Sequence, residues 1–311
     1  MMRATQLTRR SLPALLCVLV ALAAGCAEKQ EGATGPKVFA TREAAAAAVF
    51  DAMDRDDKEA IVSIFGSEYE SRLITADWAD TRDVRQRIVD ASREKLAFEE
   101  EDGVVTLELG AEQWPFPMPL LQEGEGWRFD TEEGIERVID RRVGRNELSA
   151  IALARAYVDA QIEYAQADHD GDEVLEYAQR LNSTEGKQDG LYWETGPGEA
   201  ESPFGPLVKG AESYLETLQP GDPLRGYYFS ILKGQGENAP GGAHDYVING
   251  NMIAGFALVA HPADYGSTGI MTFVVSHRGV VHEKDLGPLT GMEAYDPDDT
   301  WTVVEVEPDE G

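Results

Sequence analysis

The sequence predicts an α+β fold, and three observations carry that reading. Helical periodicity precedes a meander of short alternating strands in residues 39–143. One long helical stripe then precedes four strand candidates in residues 144–290. Gly- and Pro-rich loops punctuate both stretches, and no internal repeat is visible.

Taken in order, Thr41 stands as an N-cap with Glu43 in the first turn, and Ala45, Val49, Phe50 and Met53 follow at helical spacing. A second helix is expected at residues 58–65, stopping at Gly66, and a polar third at 80–96. Residues 104–109 alternate as a strand, and 118–121 and 127–129 form two more around a turn at Gly124 and Gly126. Trp114-Pro115-Phe116-Pro117 is the most unusual local string, because its prolines fix an extended chain and remove ladder donors while two aromatics need packing. It reads as an edge segment closing the first core; a partner-binding strip is the alternative. Thr131 then caps a helix interrupted by Gly144, and Asn146 caps a longer one over residues 147–166. Its apolar stripe is Ile151, Ala154, Val158, Ile162 and Ala165. Strands follow at 226–233, 255–260, 270–276 and 280–284, with Arg278-Gly279 as a hairpin turn. Residues 291–311 form an acidic tail, with a further strand candidate at 302–306.

The chain has 311 residues, 57 acidic against 27 basic, and a net charge of -30; its 42% hydrophobic content suffices for a core. From Cys26 onward the balance is 57 acids to 24 bases, or -33. Such a field repels phosphate backbones and excludes nucleic acid as a partner. Both cysteines, Cys17 and Cys26, lie at the N-terminus, so the folded part has no disulfide, thiolate nucleophile or Cys-ligated metal.

Residues 3–10 are basic, 12–24 are almost wholly apolar, and Leu22-Ala23-Ala24-Gly25-Cys26 closes the segment. This is the order of an export signal, too short for a comfortable membrane span. Small residues before a cysteine resemble the bacterial lipobox, which implies cleavage after Gly25 and lipidation of Cys26. The expected layout is a signal peptide at 1–25 and a flexible tether at 26–38. The expected partners are a membrane, through the lipid, and an envelope protein; an ordinary cleaved signal is the alternative. Ala27 stands where the inner-membrane retention signal has Asp, which favours the outer membrane in a diderm cell.

Several strings stand out together: Arg141-Arg142-Val143-Gly144-Arg145-Asn146-Glu147-Leu148, Tyr157-Val158-Asp159-Ala160-Gln161, Asp189-Gly190-Leu191-Tyr192-Trp193 and Met271-Thr272-Phe273-Val274-Val275, with the Trp-Pro-Phe-Pro string. They resemble the bacterial domain of unknown function 2950 family from about residue 39 to 287. That resemblance implies almost nothing about activity. By element order the first domain resembles the nuclear-transport-factor-like folds. The second, through Ala160-Gln161-Ile162-Glu163-Tyr164, Gly226-Tyr227-Tyr228-Phe229 and Ala257-Leu258-Val259-Ala260-His261-Pro262, is similar to type IV pilin and pseudopilin heads. The apolar polymerising segment of those proteins is absent, since Arg141, Arg142, Arg145 and Asn146 precede the helix.

Among candidate sites, Asp168-His169-Asp170-Gly171-Asp172 has the spacing of a Ca2+ loop, with Leu175 apolar and Glu176 able to add a carboxylate. It departs from that pattern at Glu173, where Gly makes the sharp turn, and at neutral Gln179, where a bidentate Glu is wanted. The competing reading is an acidic turn that ends one helix and caps the next through Asp170 or Asp172. His244, His261, His277 and His282 lack zinc-site spacing, and Tyr227, Tyr228, Phe229, Tyr246, Phe256 and Phe273 read as strand core, with a ligand surface as the alternative. No complete catalytic motif is found. The sequence therefore predicts a non-catalytic envelope binding or assembly module steadied by Ca2+; a secreted carboxylate-dependent hydrolase is the alternative.

Overall fold

The computed structural model describes residues 35–74, 78, 81–196, 198, 201–205, 222–289 and 291–305. The signal segment, Cys26, most of the tether and the last six residues of the tail lie outside the described residues.

Helix α1, Arg42–Asp54, is capped as expected: the Thr41 side chain accepts from the Ala44 amide at 3.1 Å. It buries Ala45, Ala46, Val49 and Phe50. Helix α2, Lys58–Phe65, begins on the Asp57 carboxylate and ends at Gly66, whose φ of +102° is a conformation open to glycine. A 3-10 turn, Ser67–Tyr69, leads into short α3, Glu70–Leu73, and α4 follows at Arg82–Glu94.

The expected third helix is too long at its end, because Leu96 opens a strand that the periodicity hides. Strand β1, Leu96–Glu101, pairs along its whole length with β2, Val104–Leu109, through a turn at Asp102 and Gly103. Three glutamates make β1 a poor strand in isolation; the ladder to β2 supplies what propensity lacks. Strand β3, Trp114–Pro115, also pairs with β2, followed by β4, Leu120–Glu123, and β5, Gly126–Phe129. The antiparallel order is β1-β2-β4-β5, with β3 beside β2. The Trp-Pro-Phe-Pro string closes the core as expected: Phe116 is 1% exposed, donates its amide to Leu107 O at 2.7 Å, and packs edge-on against Phe50 and Phe129.

Helix α5, Thr131–Tyr164, is one unbroken helix of 34 residues, which corrects the expected interruption at Gly144 and the cap at Asn146. One glycine in a helix interior costs only about 1 kcal/mol against alanine, less than the burial gained by Val143 and Ala150 on either side. Asp130, not the expected Thr131, caps it, because the Thr131 hydroxyl is engaged elsewhere, donating to Phe65 O at 2.6 Å. The buried stripe is also rotated from expectation. Ala154 and Val158 are inside with Leu153, Tyr157, Ala160, Gln161 and Tyr164, but Ile162 is 51% exposed.

The second half carries a five-stranded sheet and two separate two-stranded ribbons, built from β6, Tyr227–Leu232; β7, Gly234–Gln235; β8, His244–Asp245; β9, Val247–Ile248; β10, Asn251–Met252; β11, Ala257–Pro262; β12, Thr272–Ser276; β13, Val281–Lys284; and β14, Thr302–Val303. Its main part is antiparallel in the order β14-β13-β12-β11-β6, while β7 pairs with β8 and β9 with β10. Strands β11 and β12 are buried at every position, as expected for central strands beneath α5. The fold is thus α+β, with a long helix on an antiparallel sheet. One core surrounds the first sheet and takes Ile135 from α5; the other takes Ala150 to Tyr164 and the second sheet. Among the described residues no helix is long and apolar enough to cross a membrane.

Candidate functional site

The end of α5 positions the acidic loop. Gln161, fully buried, donates to Tyr157 Oη at 2.9 Å and to Ala178 O at 2.8 Å, while its own oxygen accepts from the Ala178 amide at 2.8 Å. A side-chain amide thereby does for Ala178 what a neighbouring strand would do. Tyr164 donates to Gln188 O at 2.9 Å, and the His169 ring stacks on it at 4.0 Å and shares a hydrogen bond with Tyr164 O. Burial and the charges of Glu176, Asp189 and Asp170 push the Tyr164 phenol up to about 12. The loop therefore starts from a fixed platform.

Within it, Asp168 accepts from the amides of Asp170 at 3.2 Å, Gly171 at 2.7 Å and Glu173 at 2.9 Å. These backbone donors hold its carboxyl below the usual range. Gly171 and Glu173 both take positive φ, +80° and +65°. Glu173 thus makes the bend where a glycine was wanted, its amide tied to Asp168. Asp170 accepts from the Asp172 amide, and Asp172 from the Val174 amide at 2.8 Å and from Asn251 Nδ2 at 2.6 Å.

Asp168, Asp170 and Asp172 each offer one carboxylate oxygen, and these lie within 4.8 Å of one another. Among the described residues no other group of three His, Cys, Asp or Glu side chains converges so closely. Glu176 is not part of it: its Oε2 accepts from the Met252 amide at 3.0 Å. Gln179 likewise turns away, bonding Gly250 O and Lys233. The expectation that Asp170 or Asp172 caps a following helix is corrected, since Tyr177 pairs instead with Met252 as an isolated bridge. Three exposed hard oxygens fit Ca2+, which takes 6–8 oxygen ligands and draws the remainder from water or carbonyls.

Among the described residues the histidines do not join any such cluster. His261 is buried in β11 beside Tyr228, and His282 faces the Tyr295 hydroxyl at 3.4 Å. A cavity of about 400 Å3 beside α2 is lined by Lys58, Glu59, Ser63 and Glu70. Asn251, 79 residues from Asp172, escaped the sequence reading because no local spacing links a side chain across that distance.

A family described as "Protein of unknown function (DUF2950)" matches residues 36–304. The chain belongs to this family. The match spans both sheets and all of α5 of this DUF2950 chain, so the acidic loop and its platform lie inside the family's extent. No curated protein and no solved structure matches the DUF2950 chain. The resemblance to pilin heads therefore rests on the strings and element order of the sequence, and that to nuclear-transport-factor-like folds on element order alone.

Proposed function

We propose that the protein is an exported, lipid-anchored, non-catalytic binding or assembly module of the cell envelope, whose loop at residues 168–176 takes up Ca2+. The observation that carries the ion reading is the convergence of Asp168, Asp170 and Asp172 on one point, on a loop pinned by Gln161, His169 and Asn251. Each added carboxylate raises mutual repulsion, which a divalent cation relieves. The anchoring reading is supported by Leu22-Ala23-Ala24-Gly25-Cys26. Multiple acyl chains there hold a protein on a membrane because each buried methylene contributes about 0.8 kcal/mol.

Titration calorimetry and thermal melts test the ion reading: millimolar Ca2+ is expected to raise the melting temperature, and Asp170→Ala to abolish the response. An unchanged response in that variant, or none in the native chain, rejects it. Fractionation tests the anchor, with Cys26→Ser expected to move the protein from the membrane to the soluble fraction. The second reading, a carboxylate-dependent hydrolase, is favoured by one observation. Burial, then the nearby Glu147 charge, raises the Glu283 pKa, an arrangement that suits a general acid. Loss of a measured hydrolytic activity in Glu283→Gln, with folding intact, would establish that reading instead.

A further inference from the structure

Helix α5 carries a second stripe, on its outward side. Arg145, Leu148, Ala152, Arg155, Asp159 and Ile162 recur at alternating intervals of three and four residues, the spacing of a seam between two helices. Leu148 is 69% exposed and Ile162 51%; Arg145, Ala152 and Asp159 are exposed as well, and Arg155 is partly so. From Leu148 to Ile162 the stripe runs about 21 Å along the helix, at about 1.5 Å per residue. The opposite side of the helix buries Leu153, Ala154, Tyr157 and Gln161, so the stripe cannot turn inward without emptying the core beneath it.

The charges of this stripe complement a copy of itself. Among the described residues Arg155 and Asp159 form no ion pair, unlike Arg72 with Glu132 and Glu136 or Arg93 with Asp54. A second α5 laid antiparallel on the first, about a two-fold axis passing between Arg155 and Asp159, sets Arg155 of each copy against Asp159 of the other. The same register brings Ile162 of each copy against Ala152 and Leu148 of the other, and the small Ala152 lets the helices approach. Sliding one helix by a heptad leaves Arg155 against Ala152 and Asp159 against Leu148, while parallel pairing sets like charge on like. The chain from Cys26 carries -33, but the stripe itself holds two bases and one acid, so it adds nothing to the repulsion between copies. At physiological ionic strength the charges outside the seam are screened beyond about 8 Å.

We propose that this stripe of α5 is the interface of a homodimer, in which the two helices run antiparallel and the contact between Arg155 and Asp159 is made twice across the two-fold axis. The proposal goes beyond the reading of the protein as a binding or assembly module, because the partner it names is a second copy of the chain. Leu148 and Ile162 supply the apolar area, and the paired charges fix direction and register, since every other alignment leaves a charge against an apolar side chain or against its like.

Sedimentation of the full chain in density-matched detergent measures the monomer–dimer equilibrium. The native chain is expected to dimerise, and one that stays monomeric up to about 200 µM overturns the interface. Arg155→Asp and Asp159→Arg each set like charges across the axis and are expected to weaken association at least about tenfold, whereas the two together restore it to within about threefold of native. Both positions lie at the surface, so the circular dichroism of all three variants is expected to match the native chain, and recovery in the double variant excludes misfolding as the cause of the loss. Unchanged association in the single variants, or no recovery in the double, overturns the charge-paired register. Cross-linking tests direction, in chains with Cys17 and Cys26 replaced by Ser so that no other thiol competes. Ala152→Cys mixed with Ile162→Cys is expected to oxidise to a disulfide faster than either alone; faster linking of Ala152→Cys to itself reports parallel helices and overturns the proposal. None of these readouts depends on lipidation of Cys26 or on Ca2+, so failure here and failure of the anchoring or ion reading are separable.

Discussion

Asp56 is the residue on which the first helices are joined, and nothing in its local sequence announces it. It takes φ of +53° after α1, accepts from Trp78 Nε1 at 2.9 Å and from Arg85 Nη2 at 2.6 Å, and Arg85 stacks on the Trp78 ring at 3.7 Å. Arg85 also donates to Trp78 O and to the Thr81 hydroxyl. Arg85→Ala removes these bonds and strands their acceptors, so urea unfolding is expected to show a loss of roughly 2 kcal/mol; a loss under about 0.5 kcal/mol would show that water replaces the guanidinium freely. A second residue sets a pH dependence. Burial lowers the pKa of His282, so the unfolded chain takes up a proton more readily than the folded one. Its contribution to stability is whole above about pH 6.5 and declines as pH falls toward the lower folded pKa. Unfolding midpoints are expected to drop between about pH 7 and about pH 5.5, with a shallower slope in His282→Asn. The acidic loop was legible at this scale, since Asp168, Asp170 and Asp172 alternate along five residues and do converge. Glu176 was not, because the bond it makes is to Met252, 76 residues away.

The elements were legible wherever side-chain periodicity reflects burial against one surface. The Thr41 and Gly66 ends of the first two helices, and the four main strands of the second sheet, stand within a residue or two of their expected places. Helix α5 is the instructive exception. Gly144 and Asn146 look like punctuation, yet Arg142 donates to Ser267, Asn146 to Thr268 O at 2.9 Å, and Glu147 accepts from the amides of Ile270 at 2.9 Å and Met271 at 3.0 Å. These polar residues are a clamp that holds the loop before β12. Glu147→Ala is expected to cost about 1–2 kcal/mol and to accelerate amide exchange at Ile270 and Met271 beyond the rest of the second sheet; uniform exchange would contradict the clamp. Gly144 is unobstructed, since a Cβ there meets nothing within 4 Å. Gly144→Ala should therefore stabilise the chain by about 0.5–1 kcal/mol. Gly134→Ala should destabilise it, because its Cβ would run into Met118, including the Cα at 3.0 Å. Paired thermal melts of the two variants distinguish a continuous helix from a broken one.

At the scale of the whole molecule, charge repulsion acts against a fold that one helix ties together. The chain from Cys26 carries -33, so raising salt from about 10 mM to about 150 mM, which shortens the Debye length from about 30 Å to about 8 Å, is expected to raise the melting temperature. A fall would mean that the ion pairs around Arg72, Arg93 and Arg128 outweigh the net repulsion. The sequence by itself determined the α+β class, the family, the Thr41 cap, the main strands and the acidic triad, because each depends on residues near one another in the chain. The tertiary structure alone decided that α5 runs unbroken through Gly144 and that Leu96 begins a strand. It also decided that Asn251 reaches Asp172 and that Arg141 is left without an acceptor beside Trp114. Those outcomes turn on burial and hydrogen bonds between distant segments, and such terms outweigh the local preferences of a single glycine or a run of glutamates.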